Sequence, residues 1–218
     1  MRLRFLGTRG EIESRSARHR RHSSLLLAYR GCTILVDWGA DWLADPPAPK
    51  ARALFLTHAH RDHAGGLRRG APWPVYATRE TWSAIARYPI RHRYLVEPGK
   101  AVTVGRLRLV AFSLEHSLRA PAVGYRVAAG RSALFYAPDV VSIHHRDDAL
   151  ARVDLYVGDG ASVTRPILRR RQGHLVGHAS IRDQLDWCAA AGVRRAVFTH
   201  CGSEIVRRGE AAAASKVE

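Results

Sequence analysis

Residues 57–63 constrain this chain more than any other part of its sequence. They read THAHRDH, so three imidazoles and one carboxylate fall within a short segment, directly after the apolar run 53–56. Alternate residues of an extended segment project to the same side, so His58 and His60 share a face while Asp62 and His63 follow around the turn. A solvated histidine-rich loop is the alternative, but it leaves the buried strand before it unexplained. The pattern therefore predicts a metal site, and one such segment can supply ligands to two ions.

The spacing H-x-H-x-D-H after a hydrophobic strand resembles the signature of the metallo-β-lactamase superfamily. The resemblance covers nearly the whole chain and implies an α/β (α+β) fold, a four-layer αβ/βα sandwich with a two-metal hydrolytic centre. It also implies further ligands in a fixed order: a downstream histidine, an aspartate at a strand end and a histidine near the C-terminus. The residues that match are His116, Asp139 and His200.

The same resemblance assigns three ligands to each of two cations and one carboxylate that bridges them. In that order these are His58, His60 and His116; Asp62, His63 and His200; and Asp139. Imidazole and carboxylate ligands suit Zn²⁺, and Mn²⁺ or Fe²⁺ are compatible with them. Asp37, at the end of a buried strand, is expected to hold the metal loop by hydrogen bonds rather than to bind metal. Taken singly, His116 would more often be a surface residue and Asp139 a turn residue, so the ordered set carries the assignment.

Length and composition set the remaining limits. The 218 residues fit one domain, residues 1–218, that is long enough to bury a core. No run approaches the roughly 18 apolar residues of a membrane span, and the N-terminus lacks the apolar core of a secretion signal, so we expect a cytoplasmic protein with no membrane partner. Cys32, Cys188 and Cys201 show no C-x-x-C spacing, which argues against a disulfide framework or a zinc ribbon.

Basic residues dominate the charge of the chain, which is formally +16. Arginines cluster in residues 15–21 and again in residues 165–171. A basic surface attracts phosphates of any kind, so the charge supports a small phosphate-containing substrate and leaves nucleic acid as a less favoured partner. Two plainer interpretations stay open: a solvated face, and a compositional bias toward arginine and alanine.

Hydrophobic patterning predicts strands and short helices around these motifs. Strands are expected over residues 2–6, 23–29, 32–36, 75–76, 102–104, 107–112, 121–127, 132–136, 154–157 and 193–199, and helices over residues 78–88 and 203–214. Thr78 is the expected N-cap of the first helix, and Ser180 with Asp183 predicts a capping box for another helix that ends at Gly192. Residues 8–22 are expected to form a loop, residues 144–148 a solvated loop, and the proline-rich residues 46–49 a stiff connector.

Three further segments narrow the resemblance to the phosphodiesterase branch of the superfamily, which includes ribonuclease Z. They are His22-Ser23-Ser24 before a strand, PAVGY at residues 121–125, and Gly177-His178 before a helix. In that branch a histidine between the bridging aspartate and the last ligand assists the leaving oxygen, which implies this role for His178. The chain departs from ribonuclease Z because its short connections hold no counterpart of the long arm that binds tRNA.

The function expected from these features is that of a dinuclear metal-dependent hydrolase. The resemblance favours a phosphodiesterase for small or cyclic phosphodiesters or nucleotides, acting through a metal-bridging hydroxide with Asp62 and His178 as catalytic residues. A nuclease for RNA or single-stranded DNA, a hydrolase of other esters or lactones, and a non-catalytic metal-binding or sensor protein are the alternatives. The natural substrate, the resident metal and the formation of a homodimer stay open.

Overall fold

A computed structural model describes residues 1–43 and 49–217 of the chain. Its strands are β1 (Arg2–Gly7), β2 (Ser24–Tyr29), β3 (Cys32–Val36), β4 (Ala53–Phe55), β5 (Val75–Ala77), β6 (Arg93–Leu95), β7 (Ala101–Val104), β8 (Leu107–Glu115), β9 (Ala122–Ala129), β10 (Ser132–Tyr136), β11 (Ser142–Ile143), β12 (Leu155–Asp159), β13 (Ile167–Arg171), β14 (His174–His178) and β15 (Ala196–Thr199). Its helices are α1 (Arg61–Ala64), α2 (Arg79–Ala84), α3 (Arg146–Leu150), α4 (Ile181–Ala190), α5 (Ser203–Arg208) and α6 (Glu210–Ala214), and 3-10 turns cover Ala40–Trp42 and Gly65–Leu67.

Most strands belong to two sheets. The first has the order β1-β2-β3-β4-β5-β6, antiparallel from β1 to β3 and parallel from β3 to β6. The second has the order β11-β8-β9-β10-β12-β15, with β7 also paired to β8, and its strands β10, β12 and β15 run parallel. Strands β13 and β14 form a separate antiparallel hairpin.

Alternating side chains divide the core into layers. Ile34 and Val36 of β3 pack in a central cluster with residues of the second sheet, whereas Leu35 between them packs on the outer face with side chains from α1 and the segment around α2. On β10, Leu134 belongs to the central cluster and Phe135 to an outer one with residues of α3 and α4. This period of two places a helical layer outside each sheet. The predicted αβ/βα sandwich is therefore confirmed.

Predicted and observed elements differ mainly at their ends. Thr78 caps α2 as predicted, since its side chain accepts a hydrogen bond from the Thr81 N–H, but α2 already ends at Ala84. The helix predicted over 203–214 is divided into α5 and α6 because Gly209 has a φ of 86°, outside helical geometry. Residues 165–171, noted only for their charge, supply β13.

Residues 144–148, expected to form a solvated loop, are only partly a loop. His144 and His145 are exposed, as expected of a solvated loop, but α3 begins directly after them at Arg146. Residues 46–48 of the proline-rich connector lie outside the described residues. In the described part of the chain, none of the helices is long and apolar enough to cross a membrane.

Candidate metal centre

Three histidines converge at the carboxyl ends of β4 and β8. His58 Nε2 lies 2.9 Å from His60 Nδ1, and His116 Nε2 lies 3.2 Å from the same nitrogen. The far side of two rings is held in place: His58 Nδ1 is 3.0 Å from Thr57 Oγ1, and His116 Nδ1 donates to the carbonyl of Gly177 at 2.8 Å. Because a carbonyl oxygen only accepts, the proton of neutral His116 lies on Nδ1 and its Nε2 presents a lone pair to the cluster.

A second group, Asp62, His63, Asp139 and His200, lies beside the first, and its ligand atoms all lie within 4.8 Å of one another. His200 Nε2 is 2.9 Å from Asp62 Oδ2 and 3.4 Å from Asp139 Oδ1. Asp139 also faces the first group, since its Oδ1 is 3.7 Å from His116 Nε2. The carboxylate of Asp139 therefore lies between the two groups.

Polar atoms of the second group are arranged as the ligands of a cation. Among the described residues, His63 Nε2 and Asp139 Oδ2 are buried without a hydrogen-bond partner, although they are only 2.6 Å apart. His63 Nδ1 lies 2.9 Å from Asp37 Oδ2, so the proton of a neutral ring lies on Nδ1 and the lone pair of Nε2 faces Asp139. Two such lone pairs repel unless a proton or a metal cation lies against both. The side chains therefore fit a divalent metal ion.

Asp37 connects the first sheet to the metal loop. It is fully buried, and its carboxylate accepts hydrogen bonds from the Thr57 N–H at 2.8 Å and the Thr57 hydroxyl at 2.9 Å, besides its contact with His63. These contacts confirm the prediction that Asp37 orients the loop by hydrogen bonding.

His178, the last residue of β14, reaches the same centre from the hairpin. Its Nδ1 lies 2.7 Å from Asp159 Oδ2 and 3.4 Å from Asp139 Oδ1. Asp159 is fully buried and also accepts hydrogen bonds from the N–H groups of Val140 at 3.0 Å and Ala161 at 2.9 Å. Just beyond the hairpin, the predicted capping box at the start of α4 is present. The position of His178 is thus fixed by a carboxylate that is itself held by backbone donors.

A cavity of about 730 Å³ opens onto these side chains. His60, Asp62, His116, Asp139, His178 and His200 all line it. His58 and His63 have no exposed surface. Both groups of donors are therefore open to this cavity, which His178 also lines.

A family model described as a beta-lactamase superfamily domain matches residues 33–201. The chain belongs to the metallo-β-lactamase superfamily. This superfamily member is 30% identical to ribonuclease Z of Methanopyrus kandleri over 142 residues, which is 57% of this chain and 49% of that protein. It is also 30% identical to ribonuclease Z of Kineococcus radiotolerans over 158 residues, which is 60% of this chain and 49% of that protein. It thus spans about half the length of these curated relatives, and the expected resemblance to the ribonuclease Z branch is confirmed.

Solved structures share the fold of this superfamily member at low identity. The metallo-beta-lactamase fold protein YhfI from Bacillus subtilis has a TM-score of 0.76 at 16% identity, over 99% of this chain and 90% of that chain. Zn²⁺-bound PqqB from Methylobacterium extorquens has a TM-score of 0.75 at 18% identity, over 99% and 95%. A diphosphatase from the PhnP family has a TM-score of 0.65 at 17% identity, over 92% and 85%.

Burial gives the three-histidine group of this superfamily member a low proton affinity. It lowers the pKa of His60 to about 4, and it also lowers the pKa values of His58 and His116. Neighbouring imidazoles add to the effect at His58 and His60, because like charges oppose protonation. These rings are therefore neutral at pH 7 and present lone pairs, the state in which imidazole binds metal.

The carboxylates give the histidines of the second group a high proton affinity, opposite to that of the first group. Burial alone would lower the pKa values of His63 and His200, but the negative charges of Asp62 and Asp139 raise both, that of His200 to about 10. The second group therefore attracts positive charge strongly. A proton and a metal ion compete for the same nitrogens there.

Every predicted site residue of this superfamily member falls in one of three clusters of ligand atoms, the second and third of which share Asp139 and His200. The third of these clusters contains one residue that the sequence analysis missed, Asp159. It ends β12, which lies between the parallel strands β10 and β15 whose following loops carry Asp139 and His200. The signal was the Gly158-Asp159-Gly160 segment after an apolar strand. Only the strand order of the sheet shows that the Asp159 carboxylate lies beside Asp139 and His200.

Proposed function

We propose that this chain is a metal-dependent phosphodiesterase whose centre binds two divalent cations, with Zn²⁺ favoured. The observation that carries the proposal is the carboxylate of Asp139, which lies 2.6 Å from His63 Nε2 on one side and 3.7 Å from His116 Nε2 on the other. One bridging carboxylate between two sets of nitrogen and oxygen donors suits a pair of ions. Two ribonuclease Z relatives and a diphosphatase with the same fold support phosphate chemistry.

Each donor set would hold one cation. The first set is His58, His60 and His116; the second is Asp62, His63 and His200; Asp139 contributes to both. Bound there, the cations would supply Lewis-acid stabilisation of phosphoryl oxygens and a water acidic enough to attack at neutral pH. Asp62 Oδ2 and Asp139 line the open side, where they would orient that water.

His178 would protonate the leaving oxygen. Its Nδ1 is taken by Asp159, so Nε2 is the atom left for a substrate in the cavity. Burial opposes the charged form of His178, but Asp159 and then Asp139 raise its pKa above the ordinary value. The two carboxylates therefore favour the imidazolium form, which can donate a proton.

The test uses bis(p-nitrophenyl) phosphate with added Zn²⁺ or Mn²⁺. We expect hydrolysis that a chelator abolishes and that either metal restores. On a dinucleotide, whose leaving alkoxide needs a proton, His178→Ala should lower kcat by about 100-fold or more while elemental analysis still finds about two ions per chain. His144→Ala, which removes an exposed histidine outside the site, is the matched control and should keep full activity. Hydrolysis of lactones or thioesters without any action on phosphodiesters would contradict the proposal.

A nuclease is the second candidate because both curated relatives are named ribonuclease Z. The two candidates differ in how activity depends on salt. A nuclease that contacts several phosphates should lose kcat/KM steeply as salt rises, whereas a small phosphodiester should show a shallow dependence. Measuring kcat/KM on a structured RNA and on bis(p-nitrophenyl) phosphate over the same salt series separates them.

A further inference from the structure

A second cavity, of about 330 Å³, adjoins the metal centre. It shares His60, His116 and His178 with the larger cavity, and its outer part is formed by the loop after β8 and by the β13–β14 hairpin. That outer part contains three arginines: Arg119, Arg169 and Arg171. No aspartate or glutamate among the described residues lines this cavity. Its charge is therefore strongly positive, immediately beside the proposed catalytic centre.

One face of the hairpin forms this basic surface. Ile167, Arg169 and Arg171 alternate along β13 and so project to the same side, with Arg170 on the other side. Across the hairpin, Ile167 pairs with His178. His178, Arg169 and Arg171 therefore lie on the same face of the hairpin. His178 is at the end beside the metal centre, and the two arginines lie progressively farther from it.

The strand spacing sets how far the backbones of Arg169 and Arg171 lie from the level of His178. At about 3.3 Å per residue, the backbone of Arg169 lies about 7 Å and that of Arg171 about 13 Å from the level of Ile167 and His178. These distances are longer than the distance between the two phosphorus atoms of a diphosphate, which share a single bridging oxygen. They are suited to a substrate that carries one phosphate on the 5′ oxygen and another on the 3′ oxygen of a nucleoside.

The three guanidinium groups differ from those of Arg61 and Arg9, which pair with carboxylates. Arg61, in the larger cavity, pairs with Glu11 at 3.1 Å, and buried Arg9 pairs with Asp41 at 2.5 Å. Within residues 1–43 and 49–217, no carboxylate pairs with Arg119, Arg169 or Arg171. Their charge is therefore available to a ligand.

We propose that Arg119, Arg169 and Arg171 bind a second phosphate of the substrate, about one nucleoside away from the phosphodiester that is cleaved. The inference rests on the proposed function and narrows its substrate class. Guanidinium groups bind phosphate through charge-assisted, often bidentate hydrogen bonds. Ile167 and Leu118, exposed at 46% and 38%, line the same cavity and would supply apolar contact for the intervening nucleoside.

A pair of chromogenic substrates that differ only in the second phosphate tests the site. They are thymidine 5′-(p-nitrophenyl phosphate) and the same compound with a 3′-phosphate; the reverse pair, with the ester on the 3′ oxygen, tests the other orientation. We expect kcat/KM to favour the phosphate-bearing member of one pair by about tenfold or more. The double variant Arg169→Ala/Arg171→Ala should reduce that ratio to near one.

Arg170→Ala is the matched control, because it removes an arginine of the same strand from the opposite face. It should keep both the activity and the preference. An equal preference in wild type and the double variant, a loss of preference in Arg170→Ala, or no preference in either substrate pair would overturn the second-phosphate site.

Calorimetry separates this inference from the proposed activity, since it needs no turnover. Thymidine 3′,5′-bisphosphate should bind wild type about tenfold more tightly than thymidine 5′-monophosphate, and the double variant should bind both alike. If this difference holds while no phosphodiester is hydrolysed, the proposed function fails and the site stands. Equal binding by wild type overturns the site even if the enzyme is active. The same titration with oligothymidylates of increasing length identifies the source of the second phosphate. An affinity that rises with length indicates an oligonucleotide, and a constant affinity indicates a small nucleotide.

Discussion

The Nδ1 of His178 lies 2.7 Å from Asp159, a carboxylate with no exposed surface. Asp159 is in turn held by the N–H of Val140, the residue after Asp139. Asp159 therefore contacts both His178 and the backbone beside Asp139. A change at Asp159 should disturb proton transfer before it disturbs metal binding.

Asp159→Asn should lower kcat by about 10- to 100-fold while zinc content stays near that of wild type. Asp159 raises the pKa of His178, so its loss lowers that pKa. An acid that must be protonated to act loses activity as pH rises through its pKa, so the alkaline limb of the kcat profile should move to lower pH. Asp154→Asn, which alters an aspartate just before β12, should leave the profile in place. An unshifted limb in Asp159→Asn would show that His178 is not the proton donor.

Asp37→Asn should weaken zinc binding by about 10- to 100-fold, because the carboxylate orients His63 and the Thr57 backbone. Competition with a chromogenic chelator measures this affinity. Asp186→Asn, on an exposed position of α4, is the control with the same change of charge. Equal affinity in the two variants would contradict the orienting role.

Zinc binding near pH 8 should release at least one proton, from His200. The pKa of His200, about 10, keeps this ring protonated at that pH, and the ring must lose a proton to bind metal. Titration calorimetry in buffers of different ionisation enthalpy counts these protons. His200→Ala should release about one fewer. His116→Ala should release as many as wild type, since the pKa of His116 is already low. Binding heats that are independent of the buffer would contradict this charge distribution.

Gly39→Ala should destabilise the protein by about 1–3 kcal/mol and weaken zinc binding, because the added methyl group would overlap the carbonyl of Asp62 and the side chain of His22. Gly99→Ala is the control, since its methyl group meets no atom within 4 Å and only a φ of 80° is unfavourable. That variant should cost about 1 kcal/mol and keep wild-type zinc affinity. Chemical denaturation and chelator competition measure the two quantities. Unchanged zinc affinity in Gly39→Ala would show that the loop tolerates displacement.

Local chemistry explains what could be predicted without coordinates. The donors His58, His60, Asp62 and His63 lie so close in sequence that no distant part of the chain is needed to bring them together. Alternation of apolar residues located most strands, and the capping box at Ser180 located the start of α4, because both depend on hydrogen bonds and burial within a few residues.

Asp159 and the basic hairpin depend instead on long-range packing. Asp159 joins the site only because β12 pairs with β10 on one side and β15 on the other, an order that burial of the sheet faces selects. Arg169 and Arg171 adjoin the centre only because β13 pairs with β14 in the register that sets Ile167 opposite His178. Residue types and short spacings therefore identify the candidate ligands of the metal loop in the primary structure, and the family resemblance adds His116, Asp139 and His200. The position of Asp159 beside those residues, and that of the arginines of β13, follow from contacts between segments far apart in the chain.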